Sequence, residues 1–362
     1  MKKNKSILVV QPYLTKYRLP VFQELSCDYN VTVAATSNDS YGAITKNELG
    51  GISFHPLKEK RALSGRIFWQ VGLLWLIVRI RPDLVYFTAN PRYLSLWFSL
   101  ILSKLLGLKV ILHGQGLYNK SKVTLLYRLQ YGLFSALCHK YICYTDSCKD
   151  SLRSMGIYKK SVVAENSIIN KFPIKKITNS EKGLLYIGRL REGCNIEFLI
   201  TVVGLLQKEG ESVNLFVVGG GDELINLKTK YVNMSYIHFL GEVYDAKEIS
   251  DISKVCFAGC YPGDAGLSIL HYMSLSLPPI AHSNMTSHMG PEPSYIINGE
   301  NGLLFDVGSV NSLKNTVKNI KNNSELRHLL QKKSYATYEK LTKPNLGQRL
   351  LAVINDVLDA NK

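Results

Sequence analysis

Short apolar runs alternate with segments of helical periodicity along most of the chain, and this alternation restricts the possible folds more than any other feature. In the first half, runs expected to be buried strands occur at residues 6–11, 31–36, 84–89, 109–114 and 141–145, and residues 162–167 end the series. Most segments between them show the apolar spacing of helices. Such alternation predicts an α/β fold with parallel sheets covered by helices on both faces.

The same alternation starts again after residue 182, which indicates two domains in tandem. The second series of strand-like runs covers residues 183–188, 214–219, 236–241, 255–260 and 278–283. A polar, basic stretch separates the two series, and we expect a linker at residues 168–182. The length of 362 residues suits two domains at roughly 150 residues each. We therefore predict domains at residues 1–167 and 183–344.

The net charge of +16 is concentrated in the first half of the chain. Residues 1–180 contain 26 Lys+Arg and 9 Asp+Glu, whereas residues 181–362 contain 18 and 19. A basic half suggests a polyanionic partner, either nucleic acid or an anionic membrane surface. No zinc-finger spacing, RNA-recognition motif or run of five Lys/Arg occurs, so we expect no nucleic-acid partner. Lys58, Lys60, Arg61 and Arg66 precede an apolar run, as on a surface that rests on lipid headgroups.

Cysteine usage and the length of the apolar runs predict a cytoplasmic protein that is peripheral on the inner face of the cell membrane. The seven cysteines are an odd number and form no CxxC pair, which favours a reducing compartment. The longest uncharged apolar runs, residues 67–78 and 93–103, have 12 and 11 residues, whereas a membrane-spanning helix needs ~20. We expect both runs to be helices packed on a sheet. Gln11 and Pro12 interrupt the first apolar run, so no secretory signal is expected.

The loop Gly263–Gly266 is the strongest candidate for a binding site. It follows the strand-like run at residues 255–260 and leads into Leu267, Leu270 and Met273, whose spacing predicts a helix. A glycine loop between a strand and a helix directs free backbone N–H groups toward one point, where an anion such as a phosphate can bind. The alternative is an ordinary β-α turn.

The stretch around this loop resembles the donor-site signature of the retaining glycosyltransferases of family 4, which have the GT-B fold. The matching positions are Pro262, Gly266-Leu267, Met273, Pro278-Pro279-Ile280-Ala281 and Asn298-Gly299-Glu300-Asn301-Gly302-Leu303-Leu304. The variant Pro-Gly-x-x-Gly-Leu followed by a helix histidine is similar to a subgroup that acts in bacterial surface-polysaccharide assembly. The resemblance covers the second domain by motif and the first mainly by topology.

The resemblance implies two Rossmann-like, doubly wound domains facing a cleft, and a hexosyltransferase-type reaction with retention of configuration. The second domain would bind a UDP- or GDP-linked nucleotide sugar. The first domain would bind a lipid-linked (polyprenyl diphosphate) glycan acceptor of O-antigen, capsule or exopolysaccharide synthesis. A C-terminal helix, residues 345–362, would cross back onto the first domain. No DxD motif occurs, so we expect neither a metal nor another cofactor.

Two departures from the family signature affect the donor site. The family's paired glutamates, which contact the donor's sugar and ribose, correspond to Gly263 and His271. In the Gly188-Arg189-Leu190 turn the expected arginine is present as Arg189, but the lysine five positions later is Cys194. Arginine suits a diphosphate because its planar fork is always charged. We expect Arg189 and the backbone of residues 263–267 to bind the diphosphate, and His271 to hydrogen-bond the nucleotide.

The remaining candidate residues follow other strand ends, where ligands bind in α/β sheets. His113 ends the run at residues 109–114, and the resemblance implies that it contacts the donor sugar. Val243 lies in the stretch implied to hold the nucleotide base. Lys16 and Arg18 follow the first strand and suit an anionic acceptor, although they also fit a solvated loop. The predicted site is therefore catalytic His113 and Arg189 with the following binding residues: Gly188, Val243, Gly263, Asp264, Ala265, Gly266, Leu267, His271, Lys16 and Arg18.

Two other functions remain open at this point. The glutamate and lysine departures also fit a catalytically weak, nucleotide-sugar-binding scaffold of a polysaccharide-assembly complex. A nucleotide-sugar 2-epimerase of the same fold is the second alternative, but a soluble substrate would give no reason for the basic first half. His282, His288 and Glu292 lie on the loop after residues 278–281, in spacings that fit no metal motif.

Overall fold

The computed structural model describes residues 4–36, 44, 46–118, 120, 122–174 and 182–360, and the chain forms two compact units. The first unit comprises the described residues up to Asn166 together with the tail that begins at Pro344. The second unit runs from Ser167 to Lys343. Residues 175–181 of the predicted linker lie outside the described residues.

The first unit is built on an eight-stranded sheet with the order β4-β3-β2-β1-β5-β6-β7-β8. All neighbouring strands are parallel except β3 and β4, which form an antiparallel pair. The strands are β1 (Ser6–Tyr13), β2 (Asn30–Thr36), β3 (Ser53–Ala62), β4 (Ile67–Val71), β5 (Leu84–Thr88), β6 (Lys109–Gly114), β7 (Lys140–Cys143) and β8 (Ser161–Val163). The helices are α1 (Leu19–Ser26), α2 (Lys46–Leu49), α3 (Leu73–Ile80), α4 (Leu94–Leu105), α5 (Leu125–Leu137), α6 (Asp146–Asp150) and the C-terminal α13 (Leu346–Asp359).

The β3–β4 hairpin differs from the predicted helix at residues 67–78. Ile67–Val71 is a strand that pairs with β3, and only the following segment is helical. Two aromatic residues beside β-branched Ile67 favour a strand, and Gly72, with φ of 90°, separates it from the helix. Lys58 and Arg61 therefore lie on an antiparallel hairpin rather than ahead of a helix. The second predicted apolar helix is correct and corresponds to α4.

Helices cover both faces of this sheet and bury two separate cores. Buried side chains of α3, α4 and α5 form one core, and those of α1 and α13 form the other. Helix α13 packs on α1 with Leu346, Leu350, Ile354 and Leu358, the apolar positions of its sequence. Asn345 and Gln348 form a capping box that satisfies the first N–H groups of α13.

The second unit contains a six-stranded parallel sheet with the order β11-β10-β9-β12-β13-β14. Its strands are β9 (Gly183–Ile187), β10 (Asn214–Val218), β11 (Ile237–Gly241), β12 (Cys256–Tyr261), β13 (Pro279–His282) and β14 (Leu303–Phe305), of which β14 was not predicted. Its helices are α7 (Ile196–Lys208), α8 (Leu224–Lys230), α9 (Ala246–Ser253), α10 (Ser268–Ser274), α11 (Val310–Asn322) and α12 (Ser324–Thr342). The strand order reverses between β9 and β12, which is where ligands bind in such sheets.

The predicted fold class is confirmed, because each unit is a Rossmann-like parallel sheet with helices on both faces. Among the described helices, none combines the length and the apolar character that a bilayer crossing requires.

Candidate functional site

Four strand ends of the second unit meet at one edge of its sheet. The turn after β9 hydrogen-bonds the turn after β10, with Leu190 N–H donating to Gly220 O over 2.8 Å. The turn after β10 bonds the end of β11 in the same way, with Gly219 N–H donating to Gly241 O over 2.7 Å. A Cβ atom at Gly219 would lie 1.9 Å from Gly188 O. The triple glycine therefore permits this close approach of backbones, and any side chain there would force the turns apart.

The two departures from the family signature are in direct contact. A Cβ atom at Gly263 would lie 2.1 Å from Gly193 O and 2.7 Å from the carbonyl carbon of Cys194. Asp264 N–H donates to Gly193 O over 3.0 Å, which fixes the loop against this segment. The Cys194 side chain is buried. The 193–194 backbone thus occupies the space that a glutamate at position 263 would need, and Cys194 provides no cation.

The loop retains three of its five backbone donors for a ligand. The Asp264 donor is taken by Gly193, and Ala265 N–H donates to His288 Nδ1 over 3.2 Å. Within the described part of the chain, the N–H groups of Gly263, Gly266 and Leu267 have no acceptor. These three groups can bind an anion without breaking any existing hydrogen bond. Of the predicted diphosphate contacts, Asp264 and Ala265 therefore offer no free backbone donor.

His288 holds the loop in place as a neutral imidazole. Since Ala265 N–H donates to Nδ1, the proton of His288 lies on Nε2, which donates to His282 O over 3.0 Å. The two imidazole rings stack with centroids 3.8 Å apart. Burial, together with the neighbouring His282, lowers the pKa of His288 to about 4. No cluster of three or more potential metal ligands occurs among the described residues, so these histidines are explained by packing on the loop.

Helix α10 is tied to the end of β9 by two residues that sequence reasoning did not select. Ser268 Oγ donates to Ile187 O over 2.8 Å, and Ile187 N–H donates to the hydroxyl of Tyr272 over 2.9 Å. His271, on the same helix, is half-buried, and burial lowers its pKa to about 4. His271 is therefore neutral near pH 7 and can offer a hydrogen bond but no charge. In the sequence, the signal for the role of Ser268 and Tyr272 is their i, i+4 spacing, which places both side chains on one side of the helix.

Arg189 is the exposed cation at this edge. It lies exposed in the turn after β9, and its side chain forms no ion pair within the described residues. Arg191 is already engaged, because its guanidinium donates to Glu192 O and contacts Met289 Sδ at 3.3 Å. Val243 is half-buried after β11, beside Tyr244, whose hydroxyl donates to Glu242. Arg189 is thus the better candidate for an incoming diphosphate.

In the first unit, the structure brings Arg18 and His113 together. Arg18 donates a hydrogen bond to Asn166 Oδ1, and its positive charge acts on His113. His113 Nδ1 is hydrogen-bonded to the Tyr86 hydroxyl, and the Tyr144 ring lies edge-on with its centroid 4.5 Å away. Burial, and then Arg18, hold the pKa of His113 well below its usual range. Its Nε2 atom is buried and has no partner in the described part of the chain.

Lys16 is directed elsewhere. Its ammonium forms an ion pair with Glu48 Oε1 at 3.0 Å, where both side chains are a little over one third exposed. The site predicted from sequence therefore falls into a first-unit group, Arg18 and His113, and a second-unit group around Arg189 and residues 263–267. Asn166, which lies 148 residues from Arg18 in the chain, belongs to the first-unit group.

Comparison with known proteins supports a glycosyltransferase of GT-B fold. Residues 167–337, nearly the whole second unit, match the family model "Glycosyl transferases group 1". The O-antigen biosynthesis glycosyltransferase WbnH of Escherichia coli is 26% identical over 133 residues, which are 36% of this chain and 38% of WbnH. The chain thus aligns with little more than a third of the length of that relative.

Solved structures share the fold over almost the entire chain. HepE of Anabaena, in a complex with UDP-glucose, superposes with a TM-score of 0.71 and 14% identity, covering 97% of this chain and 99% of HepE. The lipopolysaccharide outer core galactosyltransferase WaaB gives a TM-score of 0.67 and 13% identity, covering 99% of this chain and all of WaaB. At this level of identity the likeness shows the fold alone.

Proposed function

We propose that the protein is a glycosyltransferase that moves a sugar from a nucleotide-sugar donor to a glycan acceptor with retention of configuration. The observation that carries this proposal is the edge formed by the turn after β9 and the loop at residues 263–267. It offers Arg189 and three unpaired N–H groups within the segment that matches the glycosyl transferases group 1 model. HepE, which shares the fold, binds UDP-glucose, and this favours a UDP-linked donor over a GDP-linked one.

The proposed chemistry is stabilisation of the leaving diphosphate. As the bond between the sugar and the phosphate breaks, negative charge grows on the phosphate oxygens. N–H donors and a guanidinium already held at that position stabilise this charge without reorganisation. Because Arg189 and the loop supply this stabilisation, the proposal assigns no metal or other cofactor. No clear general base occurs among the candidate residues, so the leaving phosphate would accept the acceptor's proton on the same face of the sugar.

His113 and Arg18 are proposed to bind the transferred sugar or the acceptor. His113 Nε2 is buried without a partner, and a sugar hydroxyl would satisfy it. Arg18 adds a positive charge beside it. Since its pKa is low, His113 would act as a neutral hydrogen-bonding group and not as a general acid at neutral pH.

The proposed acceptor is a lipid-linked (polyprenyl diphosphate) glycan of surface-polysaccharide synthesis, reached by an enzyme on the cytoplasmic face of the membrane. Two observations support it: the net charge of +17 on residues 1–180, and the similarity to the O-antigen glycosyltransferase WbnH. A polyanionic acceptor or membrane is attracted to such a basic half.

A second candidate function is a nucleotide-sugar-binding scaffold without turnover. The contact between Gly263 and the 193–194 backbone favours it, because that contact leaves no room for the carboxylate of the family signature. Both candidates predict donor binding, and only the enzyme predicts release of free nucleotide.

A donor screen separates these functions. The purified protein is tested by thermal shift against UDP-, GDP- and ADP-sugars, since a ligand that binds only the folded state raises the melting temperature. Nucleotide release is then measured with a lipid-linked acceptor extract. Binding of one donor with acceptor-dependent release supports the glycosyltransferase, and binding without release supports the scaffold. Conversion of the donor to an isomer without acceptor would indicate an epimerase, and no binding would overturn the donor site.

A further inference from the structure

Three consecutive helices of the first unit turn apolar side chains outward. Of the 25 exposed large hydrophobic residues in the described part of the chain, 13 lie between residues 63 and 133. We name the outward surface of these helices the α3–α5 face, and its apolar residues are Trp75, Val78, Leu94, Phe98, Ile101, Leu105, Leu125, Leu126, Leu129 and Leu133. Soluble proteins rarely expose contiguous apolar patches of this kind without a partner.

Helix α4 is apolar on both sides, because Leu96 and Leu100 point into the core while other apolar side chains point outward. Ser95, Ser99 and Ser103 point inward and are fully buried, and the hydroxyls of Ser99 and Ser103 have no partner among the described residues. The outward positions are Leu94, Phe98, Ile101 and Leu105, and Leu105 is 79% exposed. A helix that is apolar all round is normally buried, so the outward apolar side chains of α4 would be unfavourable in water. The pattern therefore indicates an apolar environment outside the helix.

Helix α5 continues this surface. It buries Tyr131 and Phe134 and exposes four leucines, two of which, Leu125 and Leu126, are at least 70% exposed. The Phe134 ring stacks on Trp97 of α4 with centroids 4.6 Å apart. Lys104 of α4 donates to Ala136 O of α5, so the two helices form one continuous surface.

The α3–α5 face is surrounded by basic residues, and acidic residues are nearly absent from this part of the sequence. Residues 60–145 contain twelve Lys+Arg and a single acidic residue, Asp83, which accepts a hydrogen bond from the Ser6 backbone over 2.7 Å. The exposed basic side chains on and beside the three helices are Arg79, Arg81, Lys104, Lys120, Lys122 and Arg128. Arg79 lies over the ring of Trp75, with its guanidinium carbon 4.8 Å from the centroid. This arrangement is complementary to an apolar layer bordered by negative charge.

We propose that the α3–α5 face inserts into the boundary between headgroups and acyl chains of an anionic lipid bilayer. The leucines of α5 and the outward side chains of α4 would contact the acyl chains, and the surrounding lysines and arginines would bind lipid phosphates. A second copy of the chain is a poorer occupant, because a two-fold contact would bring two basic surfaces together. The inference rests on the first unit alone and does not depend on the proposed activity.

Vesicle sedimentation of the full chain tests this proposal. Vesicles of phosphatidylcholine with phosphatidylglycerol should bind the protein, and vesicles of phosphatidylcholine alone should bind it much more weakly. The double variant Leu129→Gln/Leu133→Gln should lower partitioning by ~tenfold or more, since both leucines would leave the acyl region. Ile225→Gln/Val232→Gln, at positions 78% and 74% exposed in the second unit, is the matched control and should bind as wild type.

Two further readouts keep the test decisive. Tryptophan emission should shift to shorter wavelength on binding, because Trp75 would leave water, and light scattering reports the oligomeric state. The proposal is overturned if the wild type stays in the supernatant with both vesicles, or if the control loses as much binding as the α5 variant. Loss of a dimer in the α5 variant with unchanged vesicle binding would assign the face to a second copy. Thermal shift with UDP in every variant separates a failure of this proposal from a failure of the donor site.

Discussion

The two units share one architecture but build their candidate sites from different parts of the chain. In the second unit the site is mainly backbone: glycines let four turns approach, and free N–H groups of residues 263, 266 and 267 provide the donors. In the first unit the candidate site consists of side chains, those of Arg18, His113 and Asn166, which come from distant positions in the sequence. A backbone site requires glycines at fixed local spacing and is visible as a motif, whereas a side-chain site leaves no local pattern.

The largest effect is expected from restoring the family residue in Gly263→Glu. A side chain there meets the carbonyl of Gly193, which is backbone and cannot rotate away. The substitution should lower the free energy of unfolding by about 3 kcal/mol or more and abolish nucleotide binding. Thermal unfolding measures the loss of stability, and a UDP titration measures the loss of nucleotide binding. Gly266→Ala is the control for folding, because the nearest atom to its Cβ would be 3.5 Å away; equal stability of the two variants would contradict the close contact.

A smaller but still large effect is expected for Arg189→Ala. Losing one cation at the leaving group should cost about 2–4 kcal/mol of transition-state stabilisation, which is roughly 30- to 900-fold in kcat/KM. Steady-state nucleotide release measures it. Arg153→Ala, which removes an exposed arginine paired with Asp150 in the first unit, is the control. Turnover near that of the wild type in Arg189→Ala would remove Arg189 from the site.

The pH dependence of stability should reveal the hydrogen bonds by which neutral His288 holds the loop at residues 263–267. Its folded pKa is about 4, below the unfolded value of about 6.5, so the unfolded state binds more protons as the pH falls. Stability is therefore lost between pH 6.5 and 4, by about 2 kcal/mol at pH 5 from this group. His288→Gln should flatten the dependence in chemical denaturation across that range, while the exposed His328→Gln should not. An unchanged slope in His288→Gln would contradict a buried neutral imidazole.

The smallest effect separates the two basic residues that follow β1. Lys16 is paired with Glu48 at the surface, and such pairs contribute about 0–1 kcal/mol. Lys16→Ala should change kcat/KM for the acceptor less than about threefold. Arg18→Ala should reduce it more, since it removes the hydrogen bond to Asn166 and the charge beside His113. Equal effects of the two substitutions would show that kcat/KM for the acceptor depends on the charge of the loop and not on the contact between Arg18 and Asn166.

Much of the fold follows from the sequence because apolar runs in a parallel sheet are continuous and bounded by turns. The strands β1, β2, β5 and β6 and the five strand ends that carry the predicted site residues were predictable in this way. The hairpin strand β4 was not, because Ile67–Val71 merges with α3 into one uncharged run. β14 has only three residues and is part of a turn motif. Its pairing with β13 therefore depends on tertiary packing and not on a local sequence pattern.

The candidate site was predictable where motifs are local and not where distant residues meet. Gly263 and Cys194 both depart from the family signature, but the sequence does not show that the 193–194 backbone fills the space beside Gly263. The sequence places His288 on the loop after residues 278–281, yet its role in holding Ala265 depends on two loops coming together. Similarly, the charge asymmetry indicates a membrane partner, but the side of α4 that faces outward emerges only when the burial of Ser99 and Ser103 is known.

The central claim is that the second unit recognises a diphosphate through Arg189 and the loop at residues 263–267. Calorimetric titration of the wild type and Arg189→Ala with uridine, UMP, UDP and UDP-glucose, and with the matching guanosine series, tests it most directly. We predict that affinity of the wild type rises sharply from the monophosphate to the diphosphate in one series, and that Arg189→Ala loses most of this increment. Binding that is no tighter for the diphosphate than for the nucleoside, or an increment that Arg189→Ala retains in full, would contradict the account.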